Sequence, residues 1–181
     1  VAVKLLLVAG VAIASGAYSN DSTKVKHPKV DVTLKLPSGF TAVPIAENVG
    51  KNRHIAVSSN GDLYVKLESL KKGKGIIVLR ESAGKAKVVN SFGDFGGTGV
   101  AIKDGYVYAS TNQDVFRYKM NAKGEVDPSQ KPEKIVSGLI DRRQHEAKPI
   151  ALDNEGNIYV TIGAPSNSCQ TKDRQKGSPG M

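Results

Sequence analysis

The chain has 181 residues, with 26 Lys+Arg against 17 Asp+Glu for a net charge of +9, and only one Cys. At 39% hydrophobic and 24% charged residues it is composed like an ordinary globular domain and is too apolar for a disordered chain. The lone cysteine excludes an internal disulfide framework and a Cys-rich zinc site, and no run of about 20 apolar residues follows the N-terminal segment, which excludes a multi-span helical membrane protein. The positive charge is spread thinly, with Lys71-Lys72-Gly73-Lys74 and Arg142-Arg143 as its only small clusters. Nucleic-acid binding needs a basic stripe or patch with stacking aromatics or a groove-reading helix, so no nucleic-acid partner is expected.

Near the start of the chain stands Lys4, then an apolar run from Leu5 to Ala14, then small residues such as Ser15-Gly16-Ala17. A charged start, a short apolar run and a small-residue exit describe a secretory signal peptide over residues 1–19, followed by a polar linker over 20–33. No Cys stands at the cleavage site to carry a lipid. The expectation is an exported protein, periplasmic or secreted, with no membrane span after cleavage.

Beyond the linker one phrase recurs. His54-Ile55-Ala56-Val57-Ser58-Ser59-Asn60-Gly61-Asp62-Leu63-Tyr64-Val65 is echoed from Gly99 to Ala109 around Asp104-Gly105, and from Pro149 to Val160 around Glu155-Gly156. Each is an apolar strand, a turn with Gly, and a second strand carrying a Tyr near its start; the Gly supplies the positive φ that tight hairpins need. Further strands follow at Gly75–Arg80 and Lys87–Phe92, then at Asp114–Tyr118 and Glu133–Leu139. Four short antiparallel strands at a period of roughly 45 to 50 residues describe the blade of a β-propeller. A β-sandwich also has regular short strands, but gives no reason for one four-strand phrase to recur in register. No stretch beyond the expected signal segment keeps a helical apolar period, so the fold is expected to be all-β.

The blades fall at about 50–92 and 98–139, with a third, incomplete one over 146–181. Asp31–Thr41 reads as a strand of a further blade, and residues 172–181 as a polar loop. A closed propeller needs about four to eight blades, so about two and a half blades form an incomplete ring and the chain reads as the N-terminal part of a longer protein.

Gln144-His145-Glu146-Ala147-Lys148-Pro149-Ile150-Ala151-Leu152, continuing through Thr161-Ile162-Gly163 to Ala164-Pro165-Ser166-Asn167-Ser168-Cys169, resembles the L-sorbosone dehydrogenase family. That family is related to the soluble sugar dehydrogenases that use pyrroloquinoline quinone (PQQ). Leu36-Pro37-Ser38-Gly39-Phe40 is similar to its N-terminal strand, and the resemblance covers about residues 34–181. It implies a six-bladed propeller in the full-length parent, a sugar-like substrate, PQQ with Ca2+, and His145 as the general base. Imidazole titrates near neutral pH and suits that task. The groups that hold the PQQ carboxylates and most calcium ligands are expected beyond residue 181, with no metal ligand in this chain, so the chain alone is expected to be inactive. The electron acceptor, a quinone or a cytochrome, is left open.

Arg143 and Gln144 adjoin the expected base and are candidates to touch substrate or cofactor. His54 begins an inner strand in a place like that of His145. Thr98 lies in the glycine-rich run Gly93-Asp94-Phe95-Gly96-Gly97-Thr98-Gly99, which lacks the Lys-Ser/Thr and helix of a phosphate loop but offers close backbone approach to a flat cofactor. Cys169 is a candidate for a disulfide to a cysteine outside this chain, with a free thiol as the alternative. Two other functions remain open: a non-catalytic propeller binding a sugar or protein, and a calcium-dependent lactonase-type propeller. Asp62, Asp104 and Asp153 sit in or beside turns rather than on inner strands, which counts against the latter.

Overall fold

The structure, a computed structural model, describes residues 3–7, 34–141, 145–164 and 166–180. Among these the regular structure is all strand, and no helix is long and apolar enough to cross a membrane. Strand β1 (Val3–Leu7) pairs antiparallel with β2 (Thr41–Ala46). β3 (Asn52–Val57), β4 (Leu63–Lys71), β5 (Lys74–Ser82) and β6 (Lys85–Phe92) form a four-stranded antiparallel sheet in chain order. β7 (Val100–Lys103), β8 (Tyr106–Ser110), β9 (Val115–Lys119) and β10 (Glu133–Val136) repeat that sheet, and β11 (Ile150–Leu152) with β12 (Ile158–Val160) begins a third.

The strands form where they do because Gly punctuates the alternating runs. Ser58 N donates to Asp62 O (2.9 Å) and Gly61 N back to Ser58 O (2.9 Å), with Gly61 at φ 86°. The same ring recurs between Asp153 and Asn157 with Gly156 at φ 87°. Between β7 and β8 both turn residues are left-handed, Asp104 at 48° and Gly105 at 77°, the geometry of a two-residue hairpin.

The sheets stack face to face, and each interface is a separate core. On β4, Leu63, Val65 and Leu67 face a cluster with Val49, Ile77 and Leu79, against which Ile45 and Ala46 of β2 pack. Tyr64, on the other face, joins Ile76, Val78 and Phe92 against Val100, Val107, Ala109 and Tyr118 of the second sheet. Tyr108, Val115 and Ile150 begin a third cluster between the second sheet and β11–β12. Middle strands buried on both faces therefore read as continuous apolar runs. The inner strand β7 lies against both β3 and β11. Four-stranded sheets stacked around a shared inner edge make an incomplete β-propeller.

One expected strand is corrected. Residues 34–40 hold no strand: Phe40 N donates to Pro37 O (3.2 Å) and Gly39 takes φ 88°, so the Pro-Ser-Gly run turns and pairing begins only at Thr41. Residues 31–33, the rest of that expectation, lie outside the described residues, as do most of the expected signal segment and the linker. Toward the other end, Thr171 N donates to Pro179 O (3.0 Å) and Gln170 bridges Gly180, closing the polar loop on itself.

Candidate functional site

The strands β3, β7 and β11 start at one end of the stacked sheets, and the loops that enter them meet there. Two adjoining cavities lie at this end. One, of about 410 Å³, is lined by Arg53, Glu68, residues 95–98, Thr111, Asn112, Gln113, Asp141, Glu146 and Ala147. The other, of about 500 Å³, is lined by Arg53, His145, Glu146, Ala147, Pro149, Thr161, Ile162 and Gly163. Arg53, Glu146 and Ala147 belong to both, so the two are lobes of one groove.

The wall of the first lobe is the glycine-rich loop, and its glycines are required by the chain itself. A Cβ on Gly96 would stand 2.0 Å from Glu68 O, and one on Gly97 2.0 Å from Ser110 O. The loop thus closes against the backbones of β4 and β8, with Gly97 N donating to Leu67 O (3.0 Å). Close approach there serves the protein's own backbone, while Thr98 lines the groove beside it. Lys66, fully buried beneath, donates from Nζ to Phe95 O (2.7 Å) and stands 4.5 Å from the Phe95 ring centre. Burial pushes its ammonium pKa down to about 7.

The second lobe is built around His145. Its backbone is left-handed at φ 53°, and its Nε2 is 2.8 Å from Asn167 Oδ1 on the loop after β12. Gly163 makes room for it: a Cβ there would lie 2.4 Å from His145 O and 2.5 Å from its Cβ. Ser110 ties this loop to the second blade, accepting from Gly99 N (2.8 Å) and donating to Lys148 O (2.6 Å). Lys148, buried, donates from Nζ to Glu146 O (2.8 Å).

His145 and Thr98 both line the groove, in different lobes. His54 is not among the groove-lining residues; its neighbour Arg53, at the bulge in β3 between Asn52 and His54, reaches both lobes. Arg143 and Gln144 lie outside the described residues. Cys169 is an exposed free thiol. No group of three or more His, Cys, Asp or Glu that could hold a metal ion occurs among the described residues. Asp62, Asp104 and Asp153 sit in turns at the far end of the sheets from the groove.

These residues lie within the segment, 34–179, that matches the family model described as TrAA12-like. The chain belongs to the TrAA12-like family. No curated protein matches it. A calcium structure of the family AA12 carbohydrate-active enzyme of Trichoderma reesei is 26% identical with a TM-score of 0.52, over 72% of this chain and 33% of that one. An iodide structure of the same enzyme aligns equally well. The holo form of the pyranose dehydrogenase PQQ domain of Coprinopsis cinerea aligns with a TM-score of 0.60 at 15% identity, over 76% of this chain and 34% of that one, which shows a shared fold. The TrAA12-like chain thus covers about a third of the length of these structures.

Tested against a PQQ group, the groove residues fit it in part. Arg53, the hydroxyls of Thr98 and Thr111 and the amides of Asn112 and Gln113 suit one edge of a polar, anionic, planar molecule. Glu68, Asp141 and Glu146 line the same lobe with the opposite charge, and Arg53 is itself paired to Glu68 at 3.7 Å.

Proposed function

We propose that the chain forms the base-bearing part of an exported, PQQ-dependent dehydrogenase acting on a sugar or sugar-derived alcohol or aldehyde, with calcium in the complete site. The observation that carries this reading is the imidazole of His145 on the wall of a groove at the inner-strand end of an incomplete propeller. Family membership and the likeness to a family AA12 enzyme support it. The quinone, when bound, supplies the electron sink for hydride. The chain's own work is narrower: Arg53, Thr98 and the neighbouring amides take one edge of the group, and His145 accepts the proton of the substrate hydroxyl. Remaining carboxylate and calcium partners come from outside the described residues. Export rests on the charged, apolar and small-residue order of residues 1–19.

The test is sugar-dependent dye reduction by the protein expressed from its whole reading frame, reconstituted with PQQ and calcium. Activity is expected, and His145→Ala is expected to lower kcat by at least about 100-fold, the scale of a lost general base. Unchanged kcat removes His145 from the mechanism. Sugar binding without any turnover leaves a carbohydrate-binding propeller instead.

A further inference from the structure

We propose that Asn167 is a positioning residue that fixes the tautomer of His145, placing the proton on Nε2 and leaving Nδ1 as the basic nitrogen. This deepens the reading of His145 as the base and rests on it. The amide oxygen of Asn167 is an acceptor only, so at 2.8 Å it requires a donor at Nε2. The orientation of that amide is itself held. Asn167 Nδ2 faces Asp173 Oδ2 at 3.5 Å, and Asp173 is anchored through its Oδ1 by the amide (3.1 Å) and hydroxyl (2.9 Å) of Ser168. Arg174 N donates to the same hydroxyl oxygen (2.9 Å). A flipped Asn167 amide would set its oxygen against a carboxylate, so the line Asp173–Asn167–His145 runs in one direction only.

A neutral imidazole with hydrogen on Nε2 keeps its lone pair on Nδ1, and no partner bonds Nδ1 among the described residues. The charged groups that share the cavity with the ring are Arg53 and Glu146, with Asp173 behind Asn167. None of them lies within the distances that define an ion pair to the imidazole among the described residues, which leaves Asn167 as the group that selects the tautomer.

The experiment is nitrogen-15 NMR of the His145 ring in the full chain without cofactor, above and below its titration midpoint. The Nε2–H form is expected to dominate. Asn167→Ala should lower the ratio of the two tautomers by about tenfold, the factor that one hydrogen bond of ordinary net strength gives. Asn167→Asp keeps an acceptor in place and should retain the tautomer. An Nδ1–H ring in the unaltered chain, or a tautomer ratio unmoved in Asn167→Ala, overturns the proposal. If the alanine variant does not fold, a fall in the Nε2–H fraction in Asn167→Asp overturns it just as well. Tautomer and turnover are separate readouts, so an inactive protein with the expected ring state refutes the base, not the positioning.

Discussion

A left-handed backbone at a histidine costs on the order of 1 kcal/mol, and something must hold it there. At His145 the holder is close packing against Gly163, where the absent Cβ leaves room for the histidine carbonyl and Cβ. Gly163→Ala is therefore expected to displace the loop. It should lower stability by roughly 1–3 kcal/mol, as overpacking does, and shift the His145 and Asn167 resonances. Gly180→Ala, where an added Cβ meets nothing within 4 Å, is the control and should change neither. Equal effects of the two substitutions would refute the packing argument. His145 was legible in the sequence because its loop resembles a known family. Arg53 was not: it is the extra residue of a bulge between the Asn52–Leu67 and His54–Lys66 pairs, and spacing along the chain does not reveal a bulge. Asn167 stands in the same loop that carries the family resemblance, yet its bond to His145 spans 22 residues and depends on how the loop after β12 folds back.

At the scale of elements, the turns that close the blades also lock them together. Asp62, almost fully buried in the β3–β4 turn, receives a bidentate pair from Arg80 of β5, with Nε to Oδ1 at 2.7 Å and Nη2 to Oδ2 at 2.6 Å. Arg80 also reaches Glu125 (3.0 Å), and Asn60 donates to Lys123 O (3.1 Å), so the turn is fastened to the long β9–β10 connection of the next blade. The Arg80 hydrogen bonds and charge hold the Asp62 carboxyl below its ordinary pKa despite burial. A carboxyl whose folded pKa is depressed contributes stability above its unfolded value near 3.8, and loses that contribution as pH falls through the folded value. Asp62→Asn is expected to cost about 1–3 kcal/mol at pH 7, the scale for removing one partner of a buried charge-assisted hydrogen bond. Urea titrations at pH 7 and pH 3 check this: the gap between variant and parent should narrow in acid. A gap that holds constant would show that the ion pair is not its source. The hairpins themselves were readable from Asn-Gly, Asp-Gly and Glu-Gly, but the partners of the turns were not, since Arg80 and Glu125 come from other strands and another blade.

At the scale of the whole molecule, the blades meet through apolar faces, and Lys66 is the charge placed where two of them join. It lies on the face of β4 turned toward the second blade, fully buried, with the carbonyl and ring of Phe95 as its neighbours. Desolvation is the cause of its lowered pKa, about 7 against an ordinary 10.5. Below pH 7 both folded and unfolded chains carry this proton, so the folded state bears the full penalty of a buried ammonium. Between about 7 and 10.5 the unfolded chain still holds a proton that the folded chain has released, so stability rises with pH through that window. Tyr64 and Tyr118, whose pKa values burial raises, oppose this only above their ordinary value of 10.0. Unfolding free energies measured in urea at pH 6.5 and 9.5 should therefore increase, by up to roughly 3 kcal/mol at 1.36 kcal/mol per unit of pKa difference. In Lys66→Met, which keeps the chain length and apolar stem but not the charge, the increase should vanish. Stability that is flat or falling over this range in the parent would mean that the Lys66 ammonium reaches water when the blades pack, and that the interface opens there.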